Sequence, residues 1–139
     1  MLLLDTHAWI WTVEGDTRRV GRRSRRLISH AEVREQVRIS TVTLFEIVAL
    51  HTAGRLRLAQ PVEQWIETSL DLPGVRLAEL TRGVAVDAGF VPRTALADPI
   101  DRLLVATARQ LEATLMTGDA AILTYAAQTS NLRVHDLAE

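Results

Sequence analysis

The chain has 139 residues, no cysteine and a formal net charge of -1, with 47% hydrophobic and 24% charged residues. That balance suits one globular domain spanning 1–139 and excludes disulfides, thiolate chemistry and Cys-ligated metal centres. No apolar run approaches the ~20 residues of a membrane helix, and the start Met1-Leu2-Leu3-Leu4-Asp5 lacks a leader's basic segment, so a cytoplasmic protein is expected.

Leu2-Leu3-Leu4 reads as a short buried strand with Asp5 at its carboxyl end. His7, two positions further on, is expected to face away from Asp5, and Trp9 and Trp11 suit the core or a partner groove better than base stacking. After the loop at Gly15-Asp16 comes an arginine cluster: Arg18, Arg19, Arg22, Arg23, Arg25 and Arg26. Ser24, Leu27, Ile28 and Ala31 repeat there at helical spacing, which leaves the opposite face almost wholly Arg. Such a face is solvated, or contacts a nucleic-acid backbone by counterion release, or docks an acidic partner segment.

Val37-Arg38-Ile39-Ser40 is the next strand, and Glu46 follows in a first helical turn. Thr43-x-x-Glu46 there also matches a capping box. The helix through Val48-Ala49-Leu50 ends at Gly54. Val62, Trp65, Ile66, Ser69 and Leu70 form a helical stripe after Pro61, expected at the first helical position. Val75-Arg76-Leu77 is a third strand, and Pro92-Arg93 a loop. Asp98-Pro99 opens the most regular helix, with Asp98 as N-cap, Asp101 in the first turn and Leu103, Leu104, Thr107, Ala108 and Leu111 on one face. Thr114-Leu115-Met116-Thr117 leads through Gly118 to Asp119, which stands before a helix containing Ile122 and Tyr125. Leu132-Arg133-Val134 is the last strand. Strands alternating with helices predict an α/β fold with a mainly parallel sheet covered on both faces.

Acids that follow strands collect at the carboxyl rim of a parallel sheet, where sites form. Asp5, Glu46, Asp101 and Asp119 are all placed there. Glu46, Asp101 and Asp119 each also suit a capping or helix-dipole duty, whereas Asp5 has no such duty in the sequence. Two unit charges 4 Å apart repel by roughly 4 kcal/mol at an effective dielectric of 20. A divalent cation removes that penalty, and oxygen ligands select a hard ion, Mg²⁺ or Mn²⁺. The chemistry indicated is metal-assisted phosphodiester hydrolysis.

These residues resemble a family, the PIN-domain ribonucleases, and within it the VapC toxins of type II toxin–antitoxin systems. The resemblance is carried by Leu3-Leu4-Asp5-Thr6-His7-Ala8-Trp9, Ser40-x-x-Thr43-x-x-Glu46, Asp98-Pro99-Ile100-Asp101-Arg102-Leu103-Leu104-Val105-Ala106-Thr107-Ala108 and Leu115-Met116-Thr117-Gly118-Asp119. It implies a PIN-like three-layer α/β/α sandwich. It further implies a Mg²⁺-dependent endoribonuclease (Mn²⁺ being the other candidate ion) with Asp5, Glu46, Asp101 and Asp119 as catalytic and metal-binding acids. Asp98 would serve mainly as a helix cap, and Thr6 and Thr117 as supporting groups. The implied partners are RNA, a VapB-type antitoxin and a second copy of the chain in a homodimer or a toxin–antitoxin hetero-oligomer. The six arginines would contact RNA or antitoxin. Gly118 departs from the basic residue many relatives carry, and Ala120 and Ala121 leave no further acid after Asp119.

Two other readings compete. A haloacid-dehalogenase-like phosphatase needs a second Asp two residues after the first. Position 7 is His, and the chain has no Lys. A non-catalytic, regulatory RNA- or partner-binding module is the other reading, and the intact set of four acids argues against it.

Overall fold

The computed structural model describes residues 1–139. Its strands are β1 (Leu2–Leu4), β2 (Val37–Ser40), β3 (Val75–Ala78), β4 (Thr114–Thr117) and β5 (Arg133–Asp136). Its helices are α1 (Thr6–Val13), α2 (Arg22–Val33), α3 (Thr41–Thr52), α4 (Val62–Leu70), α5 (Arg82–Phe90), α6 (Pro99–Leu111) and α7 (Ala120–Ala127). The strands form one sheet of order β3-β2-β1-β4-β5, and every neighbouring pair is parallel. This is the expected α/β/α sandwich.

The three leucines of β1 explain its central place. Leu2 pairs with Val37 on one side and Thr114 on the other. Successive side chains of a strand point to opposite faces, so Leu4 enters the core with Trp9, Ile28, Ile39, Ile47, Trp65 and Met116. Leu3 enters the other core with Leu96, Val105, Leu115, Ile122 and Leu132. A strand buried on both faces must be apolar throughout, which is why β1 carries no polar residue.

Several boundaries differ from the sequence reading. Pro61 is the N-cap of α4, one residue outside the helix. Helix α3 starts at Thr41, with the Ser40 hydroxyl accepting the Val42 amide at 3.1 Å. That cap is already filled, so Thr43 lies inside the helix, fully buried, and no Thr43–Glu46 capping box forms. Glu46 therefore sits in the second turn of α3. Strand β5 starts one residue later than expected and runs on to Asp136. Helix α5 was not foreseen, because Gly83 and Gly89 dilute its pattern. Arg18 and Arg19 precede α2 rather than belonging to it. No helix is long and apolar enough to cross a membrane.

Trp9 is the largest fully buried side chain of the first core, 1% exposed and edge-on to Trp65 at 5.1 Å between ring centroids. Trp9→Ala should lower stability by about 3–5 kcal/mol, read as the midpoint shift in urea unfolding followed by circular dichroism.

Candidate active site

β1 and β4 are neighbours running in the same direction, so the residues that follow them emerge at the same rim. Asp5 is buried at the end of β1. Its Oδ1 accepts the Ala8 amide at 2.8 Å, which makes it the N-cap of α1, a duty the sequence did not disclose. Its Oδ2 accepts a hydrogen bond from the Thr117 hydroxyl. The same Thr117 oxygen accepts the Asp119 amide at 3.0 Å, and Asp119 Oδ1 caps α7 through the Ile122 amide at 3.0 Å. Asp98 caps α6 through the Ile100 amide at 2.9 Å. Thr6, also buried, donates its hydroxyl to Thr43 at 3.4 Å.

One cavity of about 350 Å³ is lined by Asp5, Thr6, His7, Trp11, Glu46, Asp98, Asp101, Leu104, Gly118 and Asp119. The four acids singled out from the sequence thus open into one space, with Asp98 as a fifth. His7 lines it as well, against the expectation that it faces away. Trp9 and Trp11 separate, the first into the core and the second onto the cavity wall. The sequence reading treated the two tryptophans alike, because helical spacing alone does not tell a core face from a cleft face.

The electrostatics are those of clustered carboxyls with no arginine partner. No arginine pairs with any of the five carboxyls. The salt bridges use Asp16, Glu35, Asp87 and Glu139 instead. The Asp101 carboxyl is pushed up to about 7, first by burial, then by Asp119, Asp98, Glu46 and Asp5. Burial also raises Asp5, partly offset by its bonds from Thr117 and Ala8 and by nearby His7, while Asp119 adds to the rise.

An oxygen-only donor set whose members repel one another fits a hard divalent cation. No three of the Asp, Glu and His side chains stand close enough around one point to ligate an ion directly. Mg²⁺ binds through one or two carboxylates and keeps several waters, so the wide spacing suits it. The carboxylates available to hold it, directly or through its waters, are Asp5, Glu46, Asp101 and Asp119.

Half of the six-arginine cluster is engaged within the protein. Arg23 pairs with Glu139 at 3.1 Å, Arg25 donates to the Val20 carbonyl at 2.6 Å, and Arg19 lies over the Trp11 ring. Arg18, Arg22 and Arg26 remain exposed on the surface.

Residues 2–128 match the family model of the PIN domain. The chain belongs to the PIN-domain family, in its VapC branch. It is 32% identical to Ribonuclease VapC22 of Mycobacterium tuberculosis over 119 residues, covering 85% of this chain and 86% of that protein. It is similar in fold to a DNA-bound VapBC crystal structure from Salmonella typhimurium (TM-score 0.68, 18% identity, 98% of this chain and 97% of that one). It is likewise similar to FitAcB from Neisseria gonorrhoeae (TM-score 0.63, 21% identity, 96% of each chain).

The cluster gives this PIN domain a pH signature. Folded Asp101 holds its proton up to about 7, whereas its unfolded carboxyl releases it near 3.8. The folded state therefore binds more protons across that interval, and stability falls as pH rises through it. In metal-free buffer, Asp101→Asn should flatten that decline and stabilise the protein at pH 8 by on the order of 1 kcal/mol, after discounting for solvent screening. Chemical denaturation at pH 5 and pH 8 measures both.

Proposed function

We infer that this protein is a metal-dependent endoribonuclease, the toxin of a VapBC-type pair. The observation that carries the reading is the gathering of Asp5, Glu46, Asp101 and Asp119 around one cavity without a basic partner. Support also comes from the relative named a ribonuclease and from the VapBC and FitAB complexes of the same fold.

Asp5, Glu46, Asp101 and Asp119 would hold a divalent cation, Mg²⁺ in the first instance, one or two of them directly and the others through its water shell. When bound, such an ion supplies Lewis-acid charge for a phosphate oxygen and an acidified water for hydrolysis. Asp5 is fixed for its task by the Thr117 hydroxyl and the Ala8 amide, so its carboxylate enters the site already oriented. Thr117 ties Asp5 to Asp119 through one oxygen and thereby sets the spacing between the two acids. Asp101, in the first turn of α6, is a metal ligand, whereas Asp98 acts mainly as the cap of that helix. The partner is an antitoxin of VapB type, and the toxin itself forms a homodimer in the cytoplasm.

Cleavage of RNA should stop in EDTA and return with added Mg²⁺ or Mn²⁺. Undiminished cutting in excess chelator would remove the mechanism. Asp5→Asn keeps the side-chain shape and the cap to the Ala8 amide but removes the carboxylate and its acceptor for the Thr117 hydroxyl, and should lose most activity with its fold intact. Asp98→Asn should retain activity, because Asn caps as well as Asp. Equal inactivity of the two would transfer the ligand role to Asp98.

The unengaged arginines carry a separate test. Replacing Arg18, Arg22 and Arg26 together by Gln should weaken RNA binding and reduce the slope of log affinity against log salt by up to ~0.7 per lost contact. An unchanged slope with weakened neutralisation by the antitoxin would assign the surface to that partner.

A further inference from the structure

The carboxylates leave one wall of the cavity without a role. Of the three tryptophans, Trp9 and Trp65 are 1% and 3% exposed, whereas Trp11 is only half-buried and lines the cavity. Apart from Trp11, the one apolar lining residue is Leu104, itself buried. The indole is therefore the broadest flat surface lining a space otherwise walled mainly by five acids, Thr6 and His7. Part of the indole packs against the first hydrophobic core, which explains its anchoring but not why the remainder is presented to a polar cleft.

The ring is also braced. The His7 imidazole stands 5.3 Å from it, centroid to centroid, inclined by 47°. The Arg19 guanidinium lies over it at 4.9 Å, without lining the cavity, and is itself steadied by Asp16 at 3.8 Å. Across the rim, Gly118 contributes no side chain, and a Cβ there would come 4.0 Å from the indole edge. The space beside the ring thus stays open at the point where β4 delivers Asp119.

We propose that Trp11 is the base-stacking wall of this site, holding an unpaired nucleobase next to the phosphate that the carboxylates act on. The proposal rests on the endoribonuclease reading and assigns to Trp11 the contact with one unpaired base beside the cleaved phosphate. A base within a duplex has both faces covered by its neighbours, whereas a splayed base offers a free face to an aromatic side chain. The cavity's volume of about 350 Å³ falls in the range of small-ligand sites. Arg19 on the indole contributes a cation–π contact, and its charge favours the passing backbone. Because every base has a π-face, Trp11 sets position and affinity and leaves sequence choice largely open.

The test uses a short single-stranded RNA with one mapped cleavage position, and the same RNA carrying an abasic residue on either side of that position. Binding is measured by fluorescence anisotropy in EDTA, and cleavage with Mg²⁺. Trp11→Ala should raise both Kd and KM for intact RNA by about 5- to 150-fold, the range for loss of one stacked base, with a much smaller change in kcat. Trp11→Phe should recover most of the affinity. On the RNA lacking the stacked base, wild type and Trp11→Ala should bind alike. Equal Kd of the two proteins for intact RNA overturns the proposal. So does a loss that persists undiminished on both abasic RNAs, which would mark a structural effect. If the wild type cuts no RNA with Mg²⁺, the endoribonuclease reading fails on its own, while the Kd comparison still decides the role of Trp11.

Discussion

Mutual repulsion among carboxyl groups at one rim is the constraint around which the rest of this molecule is arranged. Five acids from distant parts of the chain line a single cavity, and no arginine neutralises them. The fold tolerates this because three of them are also helix caps. Asp5, Asp98 and Asp119 accept backbone amides at the starts of α1, α6 and α7. Each helix N-terminus carries roughly half a positive charge from its aligned peptide dipoles. Three such ends converge on the cavity and offset part of the negative charge. Capping and ligand duty are thus compatible in the same side chain, one oxygen serving the backbone while the other stays free or meets a hydroxyl.

That double use explains which parts of the site were legible in the sequence. The strand-then-acid pattern at Leu2-Leu3-Leu4-Asp5 and at Thr114–Thr117 with Asp119 showed directly, because a parallel sheet sends all its carboxyl ends to one rim. Asp98-Pro99 announced the start of α6 unambiguously, since proline fits the first helical turn and asparate caps it. Glu46 was harder. Ser40 and Thr43 both suit a cap, and only the observed Ser40–Val42 bond settles the register and moves Glu46 into the second turn. The cap role of Asp5 is not legible in the sequence because Thr6-His7-Ala8 gives no periodic cue to a helix beginning one residue after a strand. Helix α5 escaped for a different reason. Its two glycines lower helix propensity by about 1 kcal/mol each, and packing against α6 overrides that preference.

The arginine cluster shows where composition misleads. Six arginines in nine positions read as a uniform basic face, yet their side chains divide in the folded chain. Arg25 reaches back to carbonyls of the preceding loop, Arg23 meets Glu139, and Arg19 leans on Trp11 and Asp16. These contacts fasten the turn between α1 and α2 to the body of the domain. The charge left for an external partner is correspondingly smaller than the count suggests.

The central position of β1 has a consequence for biosynthesis. Leu2 pairs with Thr114 across a long stretch of intervening chain. Until β4 follows, Asp5 lacks the Thr117 hydroxyl that orients it and Asp119 beside it. Loop closure over that span is entropically costly, so this pairing forms late in folding. A nascent or prematurely terminated chain ending before β4 therefore carries an acid of the site without the site. The order of strands thus keeps the cavity unassembled until β4 has been made and paired.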